Sequence, residues 1–211
     1  MLIAGAKGFA KEVLEVLFQA DPQAQIAFYD DTALELPTLL YGRYPVLRTP
    51  AEARQWLARD NRFGLGTGQP RVRRLLAAKL RALGGVLTAT ISPRATIGAF
   101  GNAIGAGCNI MSGVVLTADI TLGEGVLVNL NATIGHDCVV GDYCELSPGV
   151  HLSGHVVLGA GCVLGTGCVV LPGVSIGANT VVGAGSVVTK DLPASVLAVG
   201  VPAKVIKTLP E

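Results

Sequence analysis

In the second half of the chain, apolar side chains recur at a fixed interval. From Ile104 an aliphatic residue stands at every sixth position: Ile104, Ile110, Leu116, Leu122, Val128, Ile134, Val140, Leu146, Leu152, Leu158, Leu164, Val170, Ile176, Val182 and Val188. Gly commonly follows the aliphatic residue, and a small residue stands four places after it. Six residues make one short strand and a corner, so three hexads close a triangular coil of about 18 residues. Coils then stack at about the 4.8 Å spacing of paired strands. The pattern predicts a left-handed parallel β-helix of hexapeptide repeats. Its aliphatic and small positions should point inward, with Gly at corners where positive φ is inexpensive. Ile91 and Ile97 keep the phase upstream, and the seven-residue step from Ile97 to Ile104 predicts a one-residue bulge. After Val188 the repeat stops, and "TKDLPASVLAVGVPAKVIKTLPE" should leave the last coil as an extended cap.

The first ninety residues follow another rule. Short apolar runs, "LIA" (2–4), "IAFYDD" (26–31) and "VLTAT" (86–90), read as strands, and "FGLGTG" (63–68) as strand then turn. Between them lie helical patterns. "FAKEVLEVLFQA" carries a stripe of Val13, Leu14, Val16 and Leu17. "TPAEARQWLARD" opens as a capping box, with Thr49 as N-cap, Pro50 next and Glu52 at N3. "PRVRRLLAAKLRAL" stops at Gly84-Gly85. Alternating strand and helix predict a small Rossmann-like α/β domain with a parallel sheet. The expected organisation is an α/β domain over 1–90, a β-helix over 91–189 and a C-terminal extension over 190–211.

Charge sharpens that boundary. Residues 1–94 hold thirteen of the sixteen basic residues, whereas Ala95 to Thr189 contains no Lys or Arg. A net charge of +1 gives no support to a nucleic-acid reader. Leu146 to Thr189 is free of charge, yet regular Gly, Pro172 and the missing basic flank argue against a membrane span. "MLIAGAKGFAKE" has no secretory pattern, so a cytoplasmic protein is expected. All five cysteines, Cys108, Cys138, Cys144, Cys162 and Cys168, stand four places after an aliphatic residue. Random placement over six phases would do that about once in a thousand cases. They read as buried packing residues rather than disulfide or zinc ligands.

Against this apolar background the pair His136–Asp137 stands out. His136 is the third residue of its hexad and should project from a corner. Its column holds Ala118 and Gly154 one coil away and Pro172 two coils away. An imidazole with free space above and below and a carboxylate beside it suits a general base. An ordinary surface histidine is the alternative. His151 and His155 fall at different phases from one another, and no metal-binding histidine triad is read from the spacing. The turn Gly5-Ala6-Lys7-Gly8 follows a strand, opens a helix and precedes Asp30-Asp31 at the end of the second strand. Such a turn aims N–H groups at an anion, and such carboxylates can accept from ribose or a base. A solvated turn is the plainer reading of Asp30-Asp31.

With these residues in place, the chain resembles the bacterial sugar acyltransferases typified by sialic acid O-acetyltransferase and bacillosamine N-acetyltransferase. The resemblance rests on the α/β domain with its Gly-rich turn and "DD", the β-helix bearing "IGHDCVVGDY", and the tail "VVTKDLP…VGVPAKVIK". It implies an acetyl-CoA-dependent acetyltransferase of cell-surface polysaccharide biosynthesis, acting on a nucleotide-linked amino sugar. It further implies a homotrimer with active sites between subunits, and no metal. His136 would be the general base and Asp137 its supporting acid. Asn129 would lie near the active site, and the Gly154 N–H would face the thioester carbonyl. Thr166 and Ala184 would contact coenzyme A, and their spacing stacks them in one column. The sugar-nucleotide pocket would fall on Gly5, Lys7, Gly8, Asp30, Asp31 and Gly66. There are departures: Glu145 replaces a His that contacts the acetyl group, Phe9 and Ala10 replace a polar residue and a Gly, and "GTGQP" is longer than the expected turn.

The reaction expected from the resemblance is direct acetyl transfer to an amine, without a covalent enzyme intermediate. Because the coils lack basic residues, backbone N–H groups with Lys190, Lys204 and Lys207 would have to meet the coenzyme's phosphates. O-acetylation of a sugar hydroxyl, or a non-catalytic scaffold binding a sugar nucleotide, are the other readings.

Overall fold

The computed structural model describes residues 1–32, 35 and 37–210. Its first part comprises β1 (Leu2–Ala4), α1 (Gly8–Ala20), β2 (Ala27–Tyr29), β3 (Leu39–Leu40), β4 (Tyr44–Leu47), α2 (Pro50–Leu57), β5 (Arg62–Leu65), α3 (Pro70–Ala82) and β6 (Val86–Leu87). These strands form one sheet in the order β3-β4-β2-β1-β5-β6. Every neighbouring pair is parallel except the β3–β4 hairpin. The helical stripe is buried at Val13, Leu14 and Val16 of α1. Thr49 and Glu52 form the capping box of α2. The chain leaves α3 through Gly84 at φ +92°. The sequence reading assigned no strand to the β3–β4 hairpin, because its turn, Tyr41 at φ 52° and Gly42 at φ 63°, lacks the Asn-Gly or Asp-Gly signal. Two runs are shorter than expected. Of 26–31 only Ala27–Tyr29 is strand, and of 86–90 only Val86–Leu87 joins this sheet, while Thr90 pairs with Asn109.

The second part is the expected β-helix, a three-sided rod of two-residue strands. The first face carries Thr90–Ile91, Asn109–Ile110, Leu127–Val128, Glu145–Leu146, Val163–Leu164 and Val181–Val182. The second runs from Thr96–Ile97 to Val187–Val188, and the third from Ala103–Ile104 to Ser175–Ile176. Register advances by whole coils, for example Val128 against Leu146 and Leu146 against Leu164. Each aliphatic slot from Ile110 to Val188 is buried, whereas toward the open end Ile104 and Ile97 are half-buried and Ile91 is exposed. The seven-residue step is absorbed at the corner before Ala103, where Asn102 Nδ2 donates to Gly98 O and Thr117 O. All five thiols are buried and free. Cys138 and Cys144 donate to Ser153 O and Gly159 O at 3.0 Å, and burial pushes Cys108 up to about 11.

Glycine plays two parts here rather than the one expected. The positive-φ corner lies three places after each aliphatic residue, where Gly161 (φ 72°) alternates with residues such as Asn179 (φ 57°). The Gly directly after the aliphatic residue is needed for close approach instead. A Cβ on Gly141 would lie 2.6 Å from Ala160 N on the next coil.

The tail is extended and forms a hairpin. Val196–Gly200 pairs in parallel with Val181–Val182 on the first face, and Ala203–Thr208 returns antiparallel to it.

The two parts meet on the first face. Val16 of α1 packs on Met111 and Leu127. Arg73 of α3 is fully buried and donates to Thr67 O, Gly125 O and Asn109 Oδ1, each at 2.8 Å, with Gly107 O at 3.4 Å. Burial pushes its guanidinium down to about 10. Arg81 forks onto Glu124, and Arg74 lies over the Tyr143 ring.

Candidate active site

His136 and Asp137 occupy the edge between the second and third faces, after Thr133–Ile134 and before Val139–Val140. Ile134 and Cys138 are buried on either side, so the corner is anchored from inside the rod. The two side chains project outward, 60% and 45% exposed. His136 Nδ1 lies 2.7 Å from Asp137 Oδ2. An ionised carboxylate can only accept, so Nδ1 donates to it, and in the neutral imidazole that tautomer leaves the lone pair on Nε2. That Nε2 edge lies over Gly154, where a Cβ would stand 2.6 Å from both Cε1 and Nε2. The Gly154 N–H has no hydrogen-bond partner among the described residues. A basic nitrogen and a free donor therefore lie on successive coils at one corner. Proton removal beside a developing oxyanion needs that combination.

A third group joins them that the sequence reading missed. His155 Nε2 is 3.7 Å from Asp137 Oδ2, and its ring meets that of His136 at 89° with centroids 5.0 Å apart. The signal was present: residue 155 follows residue 137 by one full coil. Ligand atoms of His136, Asp137 and His155 all lie within 4.8 Å of one another, close enough to share a divalent cation. In this structure the Asp137 oxygen is engaged by His136.

The other predicted residues are spread around the rod. Asn129, Thr166 and Ala184 lie on the edge between the first and second faces. Asn129 Oδ1 accepts from Leu130 N–H, so its side chain is turned to its own corner. Thr166 and Ala184 are exposed and stacked, with Gly185 N–H donating to Thr166 O. Lys190 and Lys204 are exposed and unpaired among the described residues. Glu145 lies on the first face with Oε1 3.1 Å from where a Gly68 Cβ would be, and burial raises its pKa.

In the α/β part, Gly5 takes φ +103° and admits no side chain, since a Cβ would lie 2.9 Å from Thr67 Cγ2. Gly8 opens α1 onto free space. Gly66 is a packing glycine, with a Cβ 2.7 Å from Ile3 Cγ2. Asp30 Oδ2 accepts from Ala6 N–H at 3.2 Å. Lys79, bonded to Asp31, holds that carboxyl below its usual range, and Lys7 pairs with Glu35 at 3.2 Å. Gly5, Gly8, Asp30 and Gly66 thus gather at the carboxyl edge of the sheet, where ligands of open α/β sheets bind. Asp30 and Asp31 enter with internal partners already. A hollow of about 540 Å³ lined by Met1, Trp56, Asp60 and Arg62 lies at the opposite, amino edge.

Known families and structures match both parts. The PglD N-terminal domain family matches residues 1–80. The bacterial transferase hexapeptide family (six repeats) matches 155–190, and the hexapeptide repeat of succinyl-transferase matches 131–164. No curated protein matches the chain. A mutant of perosamine N-acetyltransferase from Caulobacter crescentus, in complex with CoA and GDP-perosamine, is 36% identical. That match covers 98% of this chain and 96% of the other, with a TM-score of 0.89. WeeI from Acinetobacter baumannii is 32% identical, covering 97% and 98%, with a TM-score of 0.90. The acetyltransferase domain of PglB from Neisseria gonorrhoeae, in complex with acetyl coenzyme A, is 31% identical over 97% and 98%, with a TM-score of 0.89.

Proposed function

This chain belongs to the hexapeptide-repeat bacterial sugar N-acetyltransferases, and from that premise we propose that it transfers acetyl from acetyl-CoA to an amino group of a nucleotide-linked amino sugar, with His136 as base. The observation that carries the assignment of the base is the His136 Nδ1–Asp137 Oδ2 bond at 2.7 Å, which leaves Nε2 basic at an exposed corner. The acceptor nitrogen attacks the thioester carbon as Nε2 takes its proton. Asp137 stabilises the imidazolium, and the Gly154 N–H receives the developing oxyanion. As the C–S bond breaks, His136 returns the proton to the thiolate. The cysteines take no part, since all five are buried. An amine is favoured over a hydroxyl because the perosamine relative transfers to nitrogen. The sialic-acid O-acetyl type is therefore not retained.

The geometry also supports a site shared between copies. The α/β part rests on the first face, the coenzyme column of Thr166 and Ala184 follows the first–second edge, and His136 stands on the second–third edge. In a three-sided rod the second–third edge lies opposite the first face. One chain therefore keeps its base away from its own sugar-nucleotide pocket, and a second copy can bring an edge to it. A homotrimer closes such contacts by symmetry. Thr166 and Ala184 then line the coenzyme site, with Lys190 and Lys204 near its phosphates. Gly5, Lys7, Gly8, Asp30, Asp31 and Gly66 hold the sugar nucleotide, and Asn129 and Glu145 border the transfer site. Among the described residues no helix is long and apolar enough to cross a membrane. Five free thiols agree with the reducing cytoplasm as the site of action.

The test supplies acetyl-CoA with nucleotide-linked 3-amino and 4-amino sugars and follows thiol release. His136→Ala should lower turnover by roughly 10²- to 10⁴-fold with fold and assembly intact. Wild-type turnover in that variant overturns the assignment of the base.

A further inference from the structure

We propose that His155 is a positioning residue of the catalytic base, holding the His136–Asp137 pair in its working geometry; this rests on the acetyl-transfer reading above. The argument starts from a regularity of the rod. At the positive-φ corners, side chains lean back over the preceding coil wherever that coil has Gly. Asp119 Oδ1 lies 1.9 Å from where a Gly101 Cβ would be, Asn131 Oδ1 2.1 Å from that of Gly113, and Asn179 Oδ1 2.5 Å from that of Gly161. Asp137 has the same backbone, φ 60°, but stands one coil above Asp119, whose own Cβ fills that place. Its carboxylate turns along the corner to His136 instead.

His155, also at φ 60°, stands one coil above Asp137. It reaches down to Asp137 Oδ2 while His136 reaches up over Gly154. The two rings interlock at a right angle, and the coils are tied at this point by His155 N–H donating to His136 O at 2.9 Å. At 3.7 Å the His155 Nε2–carboxylate contact is beyond hydrogen-bond reach, so the ring itself, as a wall, is the working part. Without it, an imidazole 60% exposed and a carboxylate 45% exposed lack a neighbour on that side to keep them paired.

The experiment compares His155→Ala with His155→Phe, which restores a ring. His155 is exposed in the single chain, so both variants should fold, and size-exclusion chromatography checks that each assembles as wild type does. His155→Ala should lower kcat about 10- to 30-fold, with KM for acetyl-CoA and acceptor within about twofold, as expected when a base is misplaced by a fraction of an ångström. His155→Phe should recover kcat to within about threefold of wild type. Proton NMR of the His136 Nδ1–H, recorded without substrate, should show a resolved signal in wild type and His155→Phe and a broadened one in His155→Ala. An unchanged kcat, a loss falling mainly on KM, or a loss that Phe leaves unrecovered overturns the proposal. If the wild-type protein acetylates no amino sugar, the acetyl-transfer reading fails, while the NMR comparison still decides the positioning.

Discussion

In the α/β region Leu2, Tyr29, Phe63 and Leu80 are buried together although they come from four elements far apart in the chain. In the rod Val128, Leu146 and Leu164 are the same slot on three successive coils. The first arrangement needs each contact specified separately and draws on charge, as in Met1 N-terminus–Asp60 and Lys79–Asp31. The second repeats one solution and leaves its interior nothing but aliphatic and small side chains. The difference teaches where chemistry can sit. A repeat with a uniform core can carry reactive groups only on its corners and on the outward positions of its faces, and it holds them on a stiff support. The bases of α3 then find acceptors on a rod that supplies carbonyls and carboxylates and, from Ala95 to Thr189, no Lys or Arg.

Arg73 is the place to break that comparison. Arg73→Ala leaves Gly125 O, Thr67 O and Asn109 Oδ1 without their donor in a buried junction. It should destabilise the protein by about 3 kcal/mol or more. Urea unfolding followed by Trp56 fluorescence and far-UV circular dichroism should then separate, with the α/β region lost before the rod. Coincident curves at the wild-type midpoint would show that the regions need no buried staple.

Next in size is Gly154→Ala. Gly154 is not at a positive φ, so its backbone admits Ala, yet the new Cβ collides with the His136 ring. Turnover should fall about 100-fold, equivalent to about 2.7 kcal/mol, with the unfolding midpoint little changed. A parallel loss of stability would mean that this glycine serves the rod and not the base.

The smallest effect concerns acid. The Arg81 guanidinium, with Tyr143 Oη, holds the Glu124 carboxyl below its usual range. A folded pKa below the unfolded one gives stability present above the unfolded value and lost as pH falls through the folded one. Wild type should lose about 0.3 kcal/mol more than Glu124→Gln on passing below about pH 4, a small term because Arg81 is half-exposed. Identical acid profiles would remove this pair from the junction.

Much of this was legible in the sequence for a definite reason. Inward positions of the rod follow from period alone, so Ile134, Leu152 and the five cysteines could be placed inside before any coordinate was seen. His136 and Asp137 could be placed at a corner by the same count. The β3–β4 hairpin escaped because short strands with an unmarked turn carry no periodic signal. His155 is less legible because its contact with Asp137 follows the 18-residue coil interval and not the six-residue phase. Arg73 reads in sequence as one more charge on a basic helix, and its burial depends on how α3 lands on Gly107 and Gly125.

The sequence by itself determined the rod, its phase, the corner that bears the base and the capped helix α2, because each rests on interactions between residues near in sequence or one coil apart. Only the tertiary structure decided which way the corner side chains lean, which arginine is buried and which face the α/β region covers. Those outcomes depend on space left by residues on other coils and other elements, and a linear pattern carries no measure of that space.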